Sequence, residues 1–390
     1  MKFQTVSDAS RHSGLLGFFP RLIQRWDVLQ ILVMLILLAI GFIFIYSTGQ
    51  NVSEATAQYF LGRQLYWTIA GVLCWLALSN LDYRSFRIMS WVFYGICLIL
   101  LVLVLEIGMN VYGSTRWLAL PGGMRLQPSE LVKLALIMML SAILATMNFN
   151  VNRISSWILI SVLTATPFLL IVRQPDLGSA LILIPLTLGV VFLGGLKWRY
   201  IIIGATLFAT IASVEFVNEY KGYYPLLKPY QWQRIMVFFD PERDLQNRGY
   251  NQYQARLAVG SGGITGKGVG QGTQNTLGFL PKSVSNNDFI FSVIAEETGF
   301  IGSLTLLLLY GLLLYSVMRS AIRAPDDFGK YLGGTIGVLL FVHIFVNIGM
   351  SAGITPVTGL SLPLVSYGGS FIVLTMSSLG IMQSIYRSAE

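Results

Sequence analysis

Few residues in this chain could do chemistry, and they lie far apart. Asp288 opens the run Asp-Phe-Ile-Phe, just after a glycine-rich stretch. A carboxylate beside apolar residues loses solvent, which raises its pKa and suits a general base. Asp is also a favoured helix N-cap, so both roles are open. Glu130 and Lys133 follow Gln127-Pro128-Ser129, a pattern that starts helices. Three residues apart, they share a helix face and can pair. Lys133 sits in an apolar run, which demands a partner or a watery cavity. A self-contained ion pair and a polar cavity lined by both residues are the two readings.

Other candidates surround these. Arg116-Trp117 precedes the Gln-Pro-Ser-Glu segment, and Arg116 suits an anionic head group or a pyrophosphate. Arg173-Gln-Pro-Asp176-Leu-Gly178 breaks two apolar runs, so Asp176 serves either the same cavity or a tight turn. Gly266-Lys267-Gly268 could hold a phosphate oxyanion on exposed N–H groups and Lys267, or be a plain turn. It is not a nucleotide loop, because no Ser or Thr follows Lys267 and Ser261 stands where that motif needs Gly. Glu296 and Glu297 are too far along a helix to form a close acid pair with Asp288, and read as partners for Arg or backbone donors. His343 and Asn347 share a face at i,i+4, where a lone His reads as an interhelical hydrogen-bond partner. No His/Cys/carboxylate cluster has metal-ligand spacing, and no Gly-x-Ser-x-Gly elbow occurs.

The elements that must position these residues are membrane helices. The chain has 390 residues, 54% hydrophobic and only 11% charged, with mean hydropathy +0.67. Soluble domains are about one quarter charged. The fold class is an all-α polytopic membrane protein. About 20 apolar residues span a bilayer. Ten spans are expected: Val28–Ser47, Leu65–Asn80, Phe86–Glu106, Glu130–Thr146, Ile154–Ile171, Gly178–Leu193, Tyr200–Glu215, Thr298–Met318, Tyr331–Gly349 and Leu364–Ile385. With the N-terminus inside, inner segments hold thirteen Lys and Arg and the short outer loops four. Both termini are therefore expected in the cytoplasm. The net charge of +8 then marks inner loops, not a nucleic-acid surface.

Residues 1–27 carry no cleavable signal pattern. Leu15, Phe18, Phe19, Leu22 and Trp26 recur at helical spacing with Arg21 and Arg25 between them. That spacing reads as an amphipathic helix lying on the inner membrane face, with a disordered tail up to Phe18 as the alternative. Cys74 and Cys97 fall in apolar runs and read as small apolar side chains. Residues 216–287, between spans seven and eight, form a long extracytoplasmic loop, too long to be a mere connection. Its Tyr220, Tyr223, Tyr224, Tyr230, Trp232, Tyr250 and Tyr253 supply interfacial anchors, and Tyr250–Val259 has helical spacing. Residues 28–390 make one membrane domain. These features fit a transporter or an enzyme acting on a lipid-linked substrate.

The blocks resemble one family. Arg116-Trp-Leu, Gln127-Pro-Ser-Glu-Leu-Val-Lys133, Gln174-Pro-Asp-Leu-Gly178, Ala258-Val-Gly-Ser-Gly-Gly263, Gly266-Lys-Gly268, Gly272-Thr-Gln274, Phe279-Leu-Pro281, Asp288-Phe-Ile-Phe291, Ala295-Glu-Glu-Thr-Gly299, Asn347-Ile-Gly-Met350 and Leu362-Pro-Leu-Val-Ser-Tyr-Gly-Gly-Ser370 run in family order over nearly the whole chain. The chain resembles the SEDS family (shape, elongation, division, sporulation). Gly-Thr-Gln and Asn-Ile-Gly-Met lean towards its RodA branch. One departure is plain. Where the family usually reads Leu-Pro-Glu, two residues and Thr-Asp-Phe-Ile-Phe, this chain has Lys282 for the Glu and two extra residues before Asp288.

The resemblance implies a peptidoglycan glycosyltransferase that polymerises lipid II at the outer face of the cytoplasmic membrane. It also implies a class B penicillin-binding protein as partner, among other elongation-complex membrane proteins. Asp288 would be the loop aspartate that deprotonates the acceptor 4-hydroxyl. Glu130, Lys133 and Asp176 would be cavity residues. Lys133, backed by Arg116 and Lys267, would neutralise the leaving pyrophosphate, with Glu130 orienting Lys133. No cofactor is expected with certainty; a divalent cation, Mg or Mn, is the open case, and Lys282 in place of the Glu would weaken its site. The rival reading is a flippase for the lipid-linked precursor.

Overall fold

The computed structural model describes residues 26–50, 53–111, 114–120, 124–147, 149–220 and 248–389. The expected amphipathic helix and the aromatic cluster between Tyr223 and Trp232 lie outside them. The chain is mainly helical. Its elements are α1 (Val28–Gln50), α2 (Glu54–Asn80), α3 (Ser85–Ile107), β1 (Met109–Val111), β2 (Ser114–Leu120), β3 (Met124–Leu126), α4 (Pro128–Leu144), α5 (Ile154–Arg173), α6 (Leu177–Leu193), α7 (Trp198–Tyr220), α8 (Arg248–Ser261), α9 (Thr273–Thr276), α10 (Lys282–Ser285), α11 (Ile290–Arg323), α12 (Asp327–Ala352) and α13 (Gly369–Ser388). Each expected span overlaps one of α1–α7 or α11–α13. By length and composition, 6 of the described helices are long and apolar enough to cross a membrane: α1, α3, α5, α11, α12 and α13.

One feature differs from the sequence reading. Between α3 and α4 lies a small antiparallel sheet in the order β1-β2-β3. Leu118 pairs with Leu126, and Ala119 with Arg125. These strands are too short for their alternation to stand out from the apolar runs beside them. The described part of the expected long loop, from residue 248, is built of α8, tight turns, α9 and α10. α8 packs on α11 and α12.

α4 is the central helix. It contacts α3, α5, α6, α12 and α13, and every residue in it except Leu131 is buried. Pro128 occupies its first turn, where a missing N–H costs nothing. A helix buried on all faces reads as a continuous apolar run, which is how Lys133 comes to be sealed in protein rather than in lipid.

α11 is broken at Gly299, whose φ of 68° and ψ of −159° leave the helical region. A side chain there would strike the backbone, because a Cβ would lie 2.3 Å from Gly266 N. The glycine-rich stretch repairs the break. Lys267 N and Gly268 N donate to the Glu296 and Glu297 carbonyls (3.1 and 2.9 Å), and Phe300 N donates to Gly263 O (2.9 Å). The exposed glycine backbone thus serves helix ends left open inside the bundle.

Candidate active site

α4, α6, α11 and α13 all begin beside one cavity of about 370 Å3. Arg116, Glu130, Asp176 and Asp288 line it, together with Trp117, Gln127, Ser179, Asn251, Asn287, Thr358, Gly359, Ser361, Ser370 and Phe371. Helix N-termini carry partial positive charge and unpaired N–H groups. Four of them meeting at one cavity favour an anionic ligand.

Asp176 is the N-cap of α6 and accepts from Ser179 N at 3.3 Å. It also pairs with Arg116 Nη1 at 3.4 Å, and its other oxygen accepts from Gln127 Nε2 at 3.2 Å. One carboxylate therefore ties β2, the start of α4 and the start of α6 together. Gly178 lets that turn approach the opposite wall, since a Cβ there would sit 2.2 Å from the Thr358 carbonyl oxygen. Arg116 also donates to the Pro175 carbonyl, while its Nε has no partner among the described residues. Thr358 Oγ1 is likewise buried without one.

Glu130 lines the cavity, but Lys133 does not. Lys133 is fully buried behind the wall (0% exposed). Its Nζ donates to both Glu130 oxygens (2.8 and 2.7 Å) and contacts His343 Nε2 at 3.2 Å. Three partners use all three ammonium protons. The expected order is thus reversed: Lys133 holds Glu130 at the wall, and is not itself placed against a ligand.

Asp288 is not the N-cap of α11. Phe289 takes that position, and no side chain caps it. Asp288 lies one residue earlier, half-buried, on the cavity wall. Its backbone is pinned from the opposite side. Asn347 Nδ2 donates to Asp288 O at 2.9 Å and to Leu360 O at 2.6 Å. Ser361 Oγ donates to Asn287 Oδ1, and Ser366 Oγ to Asn287 O, both at 2.7 Å. Tyr367 N donates to Asn286 O at 2.9 Å.

Lys267 is not in the cavity. Its Nζ bonds Glu296 Oε1 at 2.6 Å, Thr273 Oγ1 at 2.7 Å and Ser261 Oγ at 2.8 Å. Its N–H and that of Gly268 are committed to the kink in α11, so the Gly-Lys-Gly segment has no donors left for an oxyanion there. Glu296 and Glu297 do meet backbone donors, at Gln274 N (3.1 Å) and Gly270 N (2.9 Å), and Lys267 stands where an Arg partner was expected for Glu296.

Asn287, Ser361 and Ser366 hold Asp288 in place, and sequence reasoning gave them no role. Their partners lie more than seventy residues away in the chain, so no local spacing announces them. Asn347 did leave a signal, its shared face with His343. That face is the back wall of the site.

The chain matches known proteins over most of its length. A family model described as "Cell cycle protein", covering FtsW, RodA and SpoVE, matches residues 27–390. The chain is 38% identical over 363 residues to the peptidoglycan glycosyltransferase MrdB of Escherichia coli (strain K12), spanning 92% of this chain and 93% of that protein. It is 33% identical over 367 residues to stage V sporulation protein E of Bacillus subtilis (strain 168), spanning 93% and 97%. A solved structure described as the structural coordination of polymerization and crosslinking by a peptidoglycan synthase complex aligns with TM-score 0.77 and 32% identity, over 93% of this chain and 98% of that one. The crystal structure of the Thermus thermophilus rod shape determining protein RodA aligns with TM-score 0.67 and 29% identity, over 93% and 97%.

Proposed function

We propose that this chain, which belongs to the FtsW/RodA/SpoVE family of cell cycle proteins, is a multi-pass inner-membrane peptidoglycan glycosyltransferase. It polymerises lipid II into glycan strands for cell elongation. The relative named MrdB, at 38% identity, supports the elongation role over division, since relatives named FtsW stand at 32–34%. The observation that carries the activity is the single cavity that gathers Asp288, Glu130, Asp176 and Arg116 at one end of an apolar bundle.

The donor is a sugar on a polyprenyl pyrophosphate, so its leaving group is already activated. The protein must position two sugars, take one proton and offset charge. Asp288 takes the proton of the acceptor 4-hydroxyl as that oxygen attacks the anomeric carbon. Attack from the face opposite the pyrophosphate converts an α linkage into a β-1,4 bond. Arg116 and the helix N-termini hold the departing pyrophosphate. Glu130, fixed by Lys133, orients the acceptor or donor sugar through its hydroxyls.

Among the described residues, three carboxylates line the cavity against one cation, Arg116. Among the described residues no three His, Cys, Asp or Glu side chains gather as a metal site. The donor set therefore fits a Mg or Mn ion held mainly by substrate phosphates, with one protein carboxylate, and not a protein-built cage. Asp176 is the residue that would meet it, and the ion would offset charge on the pyrophosphate. The structural match to a complex of polymerization and crosslinking supports a class B penicillin-binding protein as partner. Both termini face the cytoplasm, which places the cavity at the outer surface.

The test uses purified protein, lipid II and a class B penicillin-binding protein whose transpeptidase is blocked, with and without a chelator. Native protein is expected to yield glycan chains on a gel. Asp288→Asn is expected to lose about a hundredfold to ten-thousandfold in rate, the usual contribution of a general base. An active Asp288→Asn enzyme removes Asp288 from that role, and chains formed in chelator remove the metal.

A further inference from the structure

His343 lies in the middle of the site's supporting structure and outside its wall. It is 1% exposed, and Lys133 beside it is wholly buried. Each ring nitrogen has one partner. Nε2 lies 3.2 Å from Lys133 Nζ, and Nδ1 lies 3.1 Å from the Ser361 carbonyl oxygen. An ammonium has only donors, so Nε2 must accept. The ring proton then sits on Nδ1 and donates to the Ser361 carbonyl, which can only accept. The two partners dictate one tautomer. The ring is stacked on Phe371, a cavity-lining residue, with centroids 4.6 Å apart and planes 28° apart, which holds its orientation.

Ser361 passes the connection on. Its Oγ donates to Asn287 Oδ1 at 2.7 Å, and Asn287 precedes Asp288. One turn along α12, Asn347 binds the Leu360 and Asp288 carbonyls. A continuous line therefore runs from Glu130 behind the wall through Lys133 and His343, and returns to the wall at Ser361, Asn287 and Asp288. Its two ends are carboxylates of the cavity wall.

We propose that His343 is a positioning residue for glycosyl transfer: its imidazole bridges the Glu130–Lys133 pair to the Ser361–Asn287–Asp288 wall and fixes the spacing of the two carboxylates. The inference rests on the glycosyltransferase reading and adds to it a residue that touches no substrate. A misplacement of about 1 Å at a reacting group costs up to roughly a hundredfold in rate. Losing the bridge therefore shows in turnover. Substrate binding, set by the wall itself, stays as it was.

The experiment compares His343→Gln and His343→Leu in the full chain with the blocked penicillin-binding protein and lipid II. Gln offers an acceptor oxygen for Lys133 and a donor N–H for Ser361; Leu offers neither. His343→Leu is expected to lower kcat by about ten- to a hundredfold at unchanged KM, and His343→Gln is expected to restore most of it. If the Leu variant does not fold, His343→Asn replaces it. Asn carries the same groups on a stem too short to reach both partners, and is expected to lose turnover as Leu does. Native kcat in the Leu or Asn variant overturns the inference, and so does an equal loss in Gln and Leu. Those results leave the glycosyltransferase reading standing. A native protein that makes no glycan removes that reading and this inference together.

Discussion

Replacing Lys133 by Met should separate what holds the cavity together from what it does. The Lys133 side chain is 0% exposed and that of Glu130 8%, with 2.7 Å between Nζ and the nearer oxygen. An exposed pair at this spacing would be worth at most about 1 kcal/mol. For a buried pair the cost of losing one partner is larger, about 3–5 kcal/mol, because the other charge stays buried and unpaired. Lys133→Met leaves the Glu130 carboxylate in that position. Adding Glu130→Gln removes the orphan charge and should bring stability back to within about 1–2 kcal/mol of native. Thermal unfolding in detergent reads both steps, and lipid II polymerisation is measured on the same samples. The single variant should be unstable and inactive; the double variant should be stable and still inactive, because the wall has lost the Glu130 carboxylate. A single variant as stable as native would refute the buried-pair argument. An active double variant would reduce the pair to scaffolding.

Three further outcomes follow from the same coordinates. Lys267→Met should lower the unfolding temperature, because the Glu296 side chain is 0% exposed and loses its cation, while KM for lipid II in the folded fraction stays native; a raised KM with native stability would return Lys267 to the substrate. Gly359→Ala should slow turnover more than it destabilises. Its φ of 78° costs an L residue about 1–2 kcal/mol, and its Cβ would come into van der Waals contact with Asp288 Oδ2, at 3.4 Å, and fill the space beside it. Native turnover would show that the carboxylate has room to move. At the other end of the bundle, burial opposes ionisation of Asp326, but hydrogen bonds from Tyr83, Gly329 N–H and Arg84 outweigh it and hold its pKa below the ordinary value. Its stabilising contribution is therefore complete above the unfolded pKa of about 3.9 and is lost as pH falls through the lower folded one. Asp326→Asn should flatten the fall in unfolding temperature below about pH 4, and an unchanged acid profile would show the carboxylate to be idle.

How far the sequence reached depends on the range of each interaction. Apolar runs announced the long helices, because hydropathy is a local property. Glu130 and Lys133 announced their pairing, because a helix brings i and i+3 together. The direction of that pairing was not legible: only the burial of α4 on all sides shows that Lys133 supports Glu130. The glycine-rich stretch misled for the same reason. Its N–H groups looked free for a phosphate, but their partners are Glu296 and Glu297 carbonyls exposed by a helix break at Gly299. Nothing in Gly-Lys-Gly encodes a kink thirty residues downstream. The hold on Asp288 is equally non-local, since Asn287 and Ser361 meet only when α12 and the start of α13 fold back over α11.

The path below the cavity bears on the flippase alternative. Moving a charged head group across a bilayer needs polar groups along the way. The cavity residues all come from the N-terminal ends of α4, α6, α11 and α13 and from the segments beside them. Past Lys133, α4 continues as Leu134, Ala135, Leu136, Ile137, Met138, Met139 and Leu140, each at most 5% exposed. That segment is packed against α3, α5, α6 and α12, so it offers a pyrophosphate no partner and no space. Lys133 itself is closed off between Glu130, His343 and Phe371. A transporter built this way would have to strip Lys133 of its partners in every cycle, at the several kcal/mol that an unpaired buried charge costs. An enzyme that works from one side keeps them in place throughout. The pair that looked like half of a transport pathway is better understood as the floor of a one-sided site.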